Sequence, residues 1–156
     1  MTDKEKGKLL VKARNTVFRL LKFRLRSEKE IREKLKAKKL PDPVTKQTIA
    51  YFKDLDLIDD HRFAKDWTSS RLKKPFGINR IRVELKKKGI DPETIEETVK
   101  EATEKYDELE VVTQLAQYRA SKYKSIDPEK IQQRVYGFLL RRGFNMNVII
   151  KALKTI

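Results

Sequence analysis

The sequence predicts an all-α protein made of three tandem three-helix repeats in an elongated, curved array. Three observations predict it. Apolar residues recur at helical spacing along the chain, and no useful length of it alternates with the period of two that a strand requires. One pattern is written three times: Ile31-x-x-x-Leu35 with Leu40, Ile81-x-x-x-Leu85 with Ile90, and Val135-x-x-x-Leu139 with Phe144. Finally, a chain that is 38% apolar and 39% charged can bury a core only by gathering its apolar residues into narrow stripes, which helices do best.

The elements follow in order. Residues 1–8 are expected to form a flexible tail and residues 9–58 the first repeat. Val17, Phe18, Leu21 and Leu25 mark its first helix. Ser27 and Glu30 form a capping box that opens the second, which carries Ile31 and Leu35 and ends at Pro41-Asp42-Pro43. The third starts near Val44 or Thr45 and presents Ile49, Phe52 and Leu55. In the second repeat, 59–106, the stripe Phe63, Ala64, Trp67, Arg71 precedes the Ile81/Leu85 helix, and Asp91-Pro92 opens a helix with Ile95 and Val99 inward. In the third, 107–156, Val112, Leu115 and Ala116 lead to the Val135/Leu139 helix, and Asn145 opens a helix with Val148, Ile149 and Leu153. Gly89 and Gly143 stand where the middle helices should stop in a left-handed cap, a place held by Lys39 in the first repeat. A unit of about 50 residues buries little surface alone, so neighbouring units must support one another.

Composition excludes several classes of function. With no Cys and one His, disulfide, thiol and zinc chemistry are out. No segment has the roughly 20 apolar residues needed to span a bilayer. The opening MTDKEKGKLL has no apolar core of a secretory signal, so a cytoplasmic location is expected. The net charge of +15 points to an acidic partner, nucleic acid or an acidic protein surface. That excess lies entirely in the first 90 residues; residues 91–110 instead form an acidic stripe. A plainly solvated Lys/Glu surface is the bland alternative.

No set of residues supplies a nucleophile with its base, so neither catalysis nor a cofactor is expected. Asp59-Asp60-His61-Arg62 could suggest a metal site, but it immediately precedes a helical stripe and reads more simply as an N-cap with helix-dipole partners. The candidate binding residues are the basic clusters Arg24 and Arg26; Arg71, Lys73 and Lys74; Arg80, Arg82, Lys86, Lys87 and Lys88; and Arg141 with Arg142. Placed near helix ends of successive repeats, they should merge into one stripe that grips phosphate or carboxylate without reading sequence. Phe18, Phe52, Phe63, Trp67, Phe138 and Phe144 fall on apolar stripes and are expected in the core.

Four runs in order resemble the RecX family of recombinase regulators. They are Arg26-Ser27-Glu28-Lys29-Glu30-Ile31 with Leu35; Leu57-Ile58-Asp59-Asp60-His61-Arg62-Phe63-Ala64 with Trp67 and Arg71; Gly77 to Ile90; and Phe138-Leu139-Leu140-Arg141-Arg142-Gly143-Phe144. The resemblance spans residues 17–153. It implies a small cytoplasmic bacterial protein of three tandem three-helix repeats. Such a protein would bind the groove of the RecA filament on DNA and inhibit RecA's ATPase, strand exchange and coprotease activity, thereby modulating recombination, DNA repair and the SOS response. The expected partners are RecA and single- and double-stranded DNA without sequence preference, and the expected state is a monomer. Asp56 and Lys39 depart from the family's glycines. The competing reading is a sequence-specific helix-turn-helix regulator built on the second and third helices; a long turn and a weakly charged recognition helix count against it.

Overall fold

In a computed structural model, which describes residues 1–156, the chain folds into nine helices and no strand. They are α1 (Asp3–Phe23), α2 (Glu28–Ala37), α3 (Asp42–Asp54), α4 (Asp60–Lys73), α5 (Ile78–Lys87), α6 (Pro92–Thr103), α7 (Glu108–Ser121), α8 (Pro128–Arg141) and α9 (Met146–Leu153). The starts are set by side chains. Ser27 and Glu30 close the expected capping box on α2. Asp59, Asp91, Asp107 and Asn145 accept from backbone N–H groups in the first turns of α4, α6, α7 and α9. Residues 3–8, expected as a tail, are instead the first turns of α1. Thr2 and Glu5 form a second capping box there, and the acidic side chains of Asp3 and Glu5 suit the positive end of the helix.

Three separate apolar cores follow the chain. The first runs from Ala13 to Ile58, the second from Phe63 to Val99, and the third from Val112 to Ala152. The repeated pairs Ile31/Leu35, Ile81/Leu85 and Val135/Leu139 are wholly buried, each pair on the middle helix of its unit. Cutting Leu85 back to Ala there should cost about 2–5 kcal/mol. Three expected core residues lie elsewhere. Phe18 is 43% exposed and Leu55 48% exposed, because α1 and α3 bury Ala13, Thr16, Val17 and Phe52 and turn those neighbours outward. Leu25 lies beyond the end of α1 and packs against the second core, tying two units together.

The third member of each repeated motif has a structural reason. Leu40, Ile90 and Phe144 send their N–H groups back to the carbonyls of Leu35, Leu85 and Leu139, the six-residue closure of a Schellman turn. The residue before each must be left-handed, and Lys39 (φ 60°), Gly89 (φ 82°) and Gly143 (φ 93°) are. Lys39 therefore preserves the turn at a steric cost of about 1–2 kcal/mol. Asp56, the other departure from glycine, takes the same region with φ 57°.

The units are strung end to end. The accessible surface is 10382 Å², against about 8,200 Å² for a compact monomer of this mass, so the chain is elongated. The start of α2 meets the C-terminal turn of α5: Lys29 Nζ donates to the Lys87 carbonyl at 3.2 Å and Lys88 pairs with Glu30 at 3.5 Å. The start of α5 in turn meets the C-terminal turn of α8. There Gly77 N–H donates to the Arg142 carbonyl at 2.7 Å, and Asn79 N–H to the Gly143 carbonyl at 3.0 Å. The three middle helices thus abut head to tail, positive end to negative end.

Candidate nucleic-acid interface

The fold sorts the expected basic residues into two groups. Arg24, Arg26 and Lys88 all converge on Glu30, at 2.5, 3.6 and 3.5 Å. Arg71 pairs with Glu84 at 2.6 Å and Arg82 with Glu96 at 3.0 Å. These five cations are largely spent within the molecule. Burial works against the Glu30 charge, but hydrogen bonds from Arg24 and the charges of Arg24 and Lys88 outweigh it and hold the carboxyl below its usual range. Lys73, Lys74, Arg80, Lys86, Lys87 and Arg141 are exposed, Arg142 is half-buried, and none of these seven has a carboxylate partner.

Trp67 and Phe138, expected in the core, pack against the second and third cores but are only half-buried and also lie against cations. Together with Phe76 they form a ladder. Arg119 lies 4.3 Å from the Phe138 ring centroid, and Arg142 lies 5.3 Å from Phe138 and 4.6 Å from Phe76. Arg80 and Arg71 flank Phe76 at 4.2 and 4.9 Å. Arg71, Lys88 and Arg24 then surround Trp67 at 4.8, 5.1 and 5.6 Å. Arg80 and Arg119, set over ring faces without a carboxylate partner, keep their N–H edges free, and such an edge matches phosphate or carboxylate bidentately. Arg142 is further fixed by an Nη1–H···O bond of 3.4 Å to the Lys74 carbonyl.

Two adjoining clefts, both lined by Arg80, run along this ladder. One, of about 410 Å³, is lined by Phe76, Arg80, Phe138, Arg141 and Arg142, with no acid. The other, of about 450 Å³, sets Lys29, Arg71, Arg80, Lys87 and Lys88 against Glu30, Glu33 and Glu84 beside Trp67. The positive field is therefore concentrated where the second and third units meet. Sequence reasoning did not single out Phe76 or Arg119 for binding. Phe76 lies in the connection between α4 and α5, where no periodicity marks it. The available signal was an aromatic ring flanked by Lys73, Lys74 and Arg80.

The remaining expected sites resolve structurally. Asp59 caps α4, accepting from Arg62 N–H at 3.2 Å, and Asp60 accepts from Glu28 N–H at 2.9 Å across the first junction. Arg82 and its Glu96 stand apart from the ladder, beside a cleft that includes Asn79, Tyr106 and Glu108. The turn between α2 and α3 is only residues 38–41, shorter than expected, so its length is no objection to a helix-turn-helix. The objection that stands is charge: Lys53 is bound to Glu28, leaving α3 one unpaired cation, Lys46. No helix is long and apolar enough to cross a membrane.

Comparison with known proteins locates this geometry. Residues 13–52, 59–99 and 106–153 match the family models of the first, second and third three-helix domains of RecX. The regulatory protein RecX of Bacillus velezensis is 35% identical over 144 residues, covering 92% of this chain; the chain spans only 54% of that relative's length. The RecX of Clostridium botulinum Alaska E43 is 29% identical over 97% of this chain and 74% of its own. The crystal structure of RecX from Lactobacillus salivarius superposes with a TM-score of 0.77 at 25% identity, covering 96% of this chain and 97% of that one. A second RecX crystal structure, 22% identical with a TM-score of 0.78 over 100% of this chain and 79% of that one, shares the fold.

Proposed function

The chain belongs to the RecX family of regulatory proteins, and from that premise we propose that it acts on the RecA–DNA filament by binding alone. An elongated row of three units spans several subunits of a helical polymer, and a ligand that bridges subunits opposes the motions that accompany ATP turnover. The consequence is inhibition of RecA's ATPase, strand exchange and coprotease activity. The observation that carries the reading is the arginine–aromatic ladder, with Arg80, Arg119, Arg141 and Arg142 free of carboxylates. It supports a contact between the filament's DNA phosphates and the junction of the second and third units, without base readout.

The test is RecA's DNA-dependent ATPase with the protein added at or below equimolar amounts. The rate should fall. An unchanged rate under conditions where RecA is active would overturn the assignment. A mobility-shift titration adds a second check: weak, steeply salt-dependent and sequence-blind DNA binding is expected, whereas tight binding to one duplex sequence without RecA would restore the helix-turn-helix reading.

A further inference from the structure

Each unit packs its first helix against its third, and the first unit shows rings meeting at that seam. On the third helices, Val44, Thr48, Ile49 and Phe52 of α3 align with Thr94, Thr98, Val99 and Ala102 of α6. Burial coincides position by position until the last, where Phe52 is fully buried and Ala102 only half-buried. On the first helices, the fully buried Ala13 and Val17 of α1 align with Ala64 and Thr68 of α4, which puts Ser69 where α1 has Phe18.

In the first unit those two rings meet edge to face, with centroids 4.9 Å apart, and Arg14 covers Tyr51 beside them at 3.9 Å. The second unit has a hydroxymethyl and a methyl group in their place. A cavity of about 460 Å³ opens there between α4 and α6. Leu72, Ala102 and Tyr106 are its apolar walls, Ser69 lies at the position a ring would occupy, and Lys65 and Lys73 flank it. It shares no residue with the two clefts of the ladder.

We infer that this cavity is a socket for an aromatic side chain of a partner protein, carried next to a carboxylate. The first unit supplies the argument for the ring: at the same seam of the same fold the buried Phe52 packs edge to face against the partly exposed Phe18. The volume falls within the range of pockets that hold small organic groups. Charge supplies the carboxylate. Lys73 is exposed with no acidic partner, and Lys65 is shared only with Glu101, at 3.5 Å, leaving a net positive rim over an apolar floor. Nucleic acid is a poor match, because a polyphosphate would leave the Leu72–Ala102–Tyr106 walls uncovered. The socket is thus a protein-docking point separate from the ladder, and it stands or falls independently of the DNA contact.

The experiment uses the full chain, labelled with nitrogen-15, and 3-phenylpropionate as the probe. Saturable shifts should appear at the amides of Ser69, Thr98 and Ala102. Lys73→Gln should weaken binding roughly threefold, as expected for one exposed ion pair. Ala102→Phe, which supplies the missing ring from within, should abolish the shifts while preserving helicity by circular dichroism; Ser69→Phe fills the same space from the other helix should that variant fail to fold. Absence of saturable shifts at these amides, or shifts that persist in a folded filled variant, would overturn the inference. Equal binding of 3-phenylpropionamide would remove the carboxylate from it. Concentration-dependent shifts without the probe, lost on filling, would make the occupant a second copy of this chain and likewise overturn it.

Discussion

The two junctions between units occupy equivalent places in the repeat, yet they are held by different forces. At the first, the start of α2 is bound by side chains: Glu30 to Lys88, Lys29 to the Lys87 carbonyl, and Asp60 to Glu28 N–H. At the second, the start of α5 is bound by its own backbone, with Gly77 and Asn79 donating to the last turn of α8. The difference traces to one position. Ser27 caps α2 and keeps the neighbour at side-chain distance, whereas its counterpart Gly77 caps nothing with a side chain and lets the carbonyl of Gly143 approach where a Cβ would collide. Charged contacts of this kind weaken with salt and acid; backbone bonds between close-packed turns do not. The first junction is therefore the more sensitive of the two to salt and acid.

Putting a side chain at position 77 should do the most damage. In Gly77→Val the branched side chain meets the Gly143 carbonyl and the Phe144 N–H, so the second junction must part, at about 1–3 kcal/mol. Because the chain has no Cys, spin labels can be placed uniquely at Lys46→Cys, Glu97→Cys and Lys151→Cys, one exposed site on the third helix of each unit. The 97–151 distance should broaden in this variant and the 46–97 distance should not. Broadening of both would mean that the junctions are coupled.

Glu30→Gln should act on the other junction. It removes the charge shared by Arg24, Arg26 and Lys88 from a side chain that is only 12% exposed, and should cost about 1–2 kcal/mol. Here the 46–97 distance is the one expected to broaden. An unchanged distance would leave Leu25, seated in the second core, as the tie that fixes the two units.

The repeat was legible in the sequence because its strongest signals are residues with no freedom: Ile31, Leu35 and their counterparts are wholly buried, and Gly89 and Gly143 must be left-handed. The ladder was only half legible. Arg80, Arg141 and Arg142 stood out as charge, but charge alone does not reveal which cations are already paired, and Glu30 finds Lys88 across 58 residues of chain. Phe76 and Arg119 become neighbours of the same surface only through the docking of α5 on α8, a contact carried by backbone groups that leave almost no mark in residue type. Only the absence of a side chain at Gly77 hints at it.

Acid should open the first junction by a smaller step. Glu28 is held below its usual value by its hydrogen bond to Lys53, against burial, and Glu30 by Arg24 and Lys88, also against burial. Carboxylates depressed in the fold contribute stability that is present above their unfolded value of 4.5 and is lost as pH falls below it through the folded values. Asp60 runs the other way: burial, then the Glu28 charge, raise it, so its contribution declines as pH rises from 3.8. The partners of Glu28, Lys53 and Arg32, lie in its own unit, so the carboxylate that acts across the junction is Glu30 with Lys88, offset in part by Asp60; the 46–97 distance should broaden below pH 4.5 while 97–151 holds. Equal broadening of both distances would remove the electrostatic distinction between the junctions.

The smallest expected effect separates free from spent arginines. Arg80 lies on the ladder without an acidic partner, whereas Arg82, two residues along the same helix, is engaged by Glu96 through two hydrogen bonds of 3.0 and 3.3 Å. Arg80→Gln should weaken DNA binding severalfold and lower the slope of log affinity against log salt by about one, the signature of one lost phosphate contact. Arg82→Gln removes the same formal charge and should leave that slope unchanged, because a guanidinium already neutralised by a carboxylate displaces no counterion from DNA. If the two variants shift the slope equally, only net charge matters, and the aromatic ladder plays no part in placing the DNA.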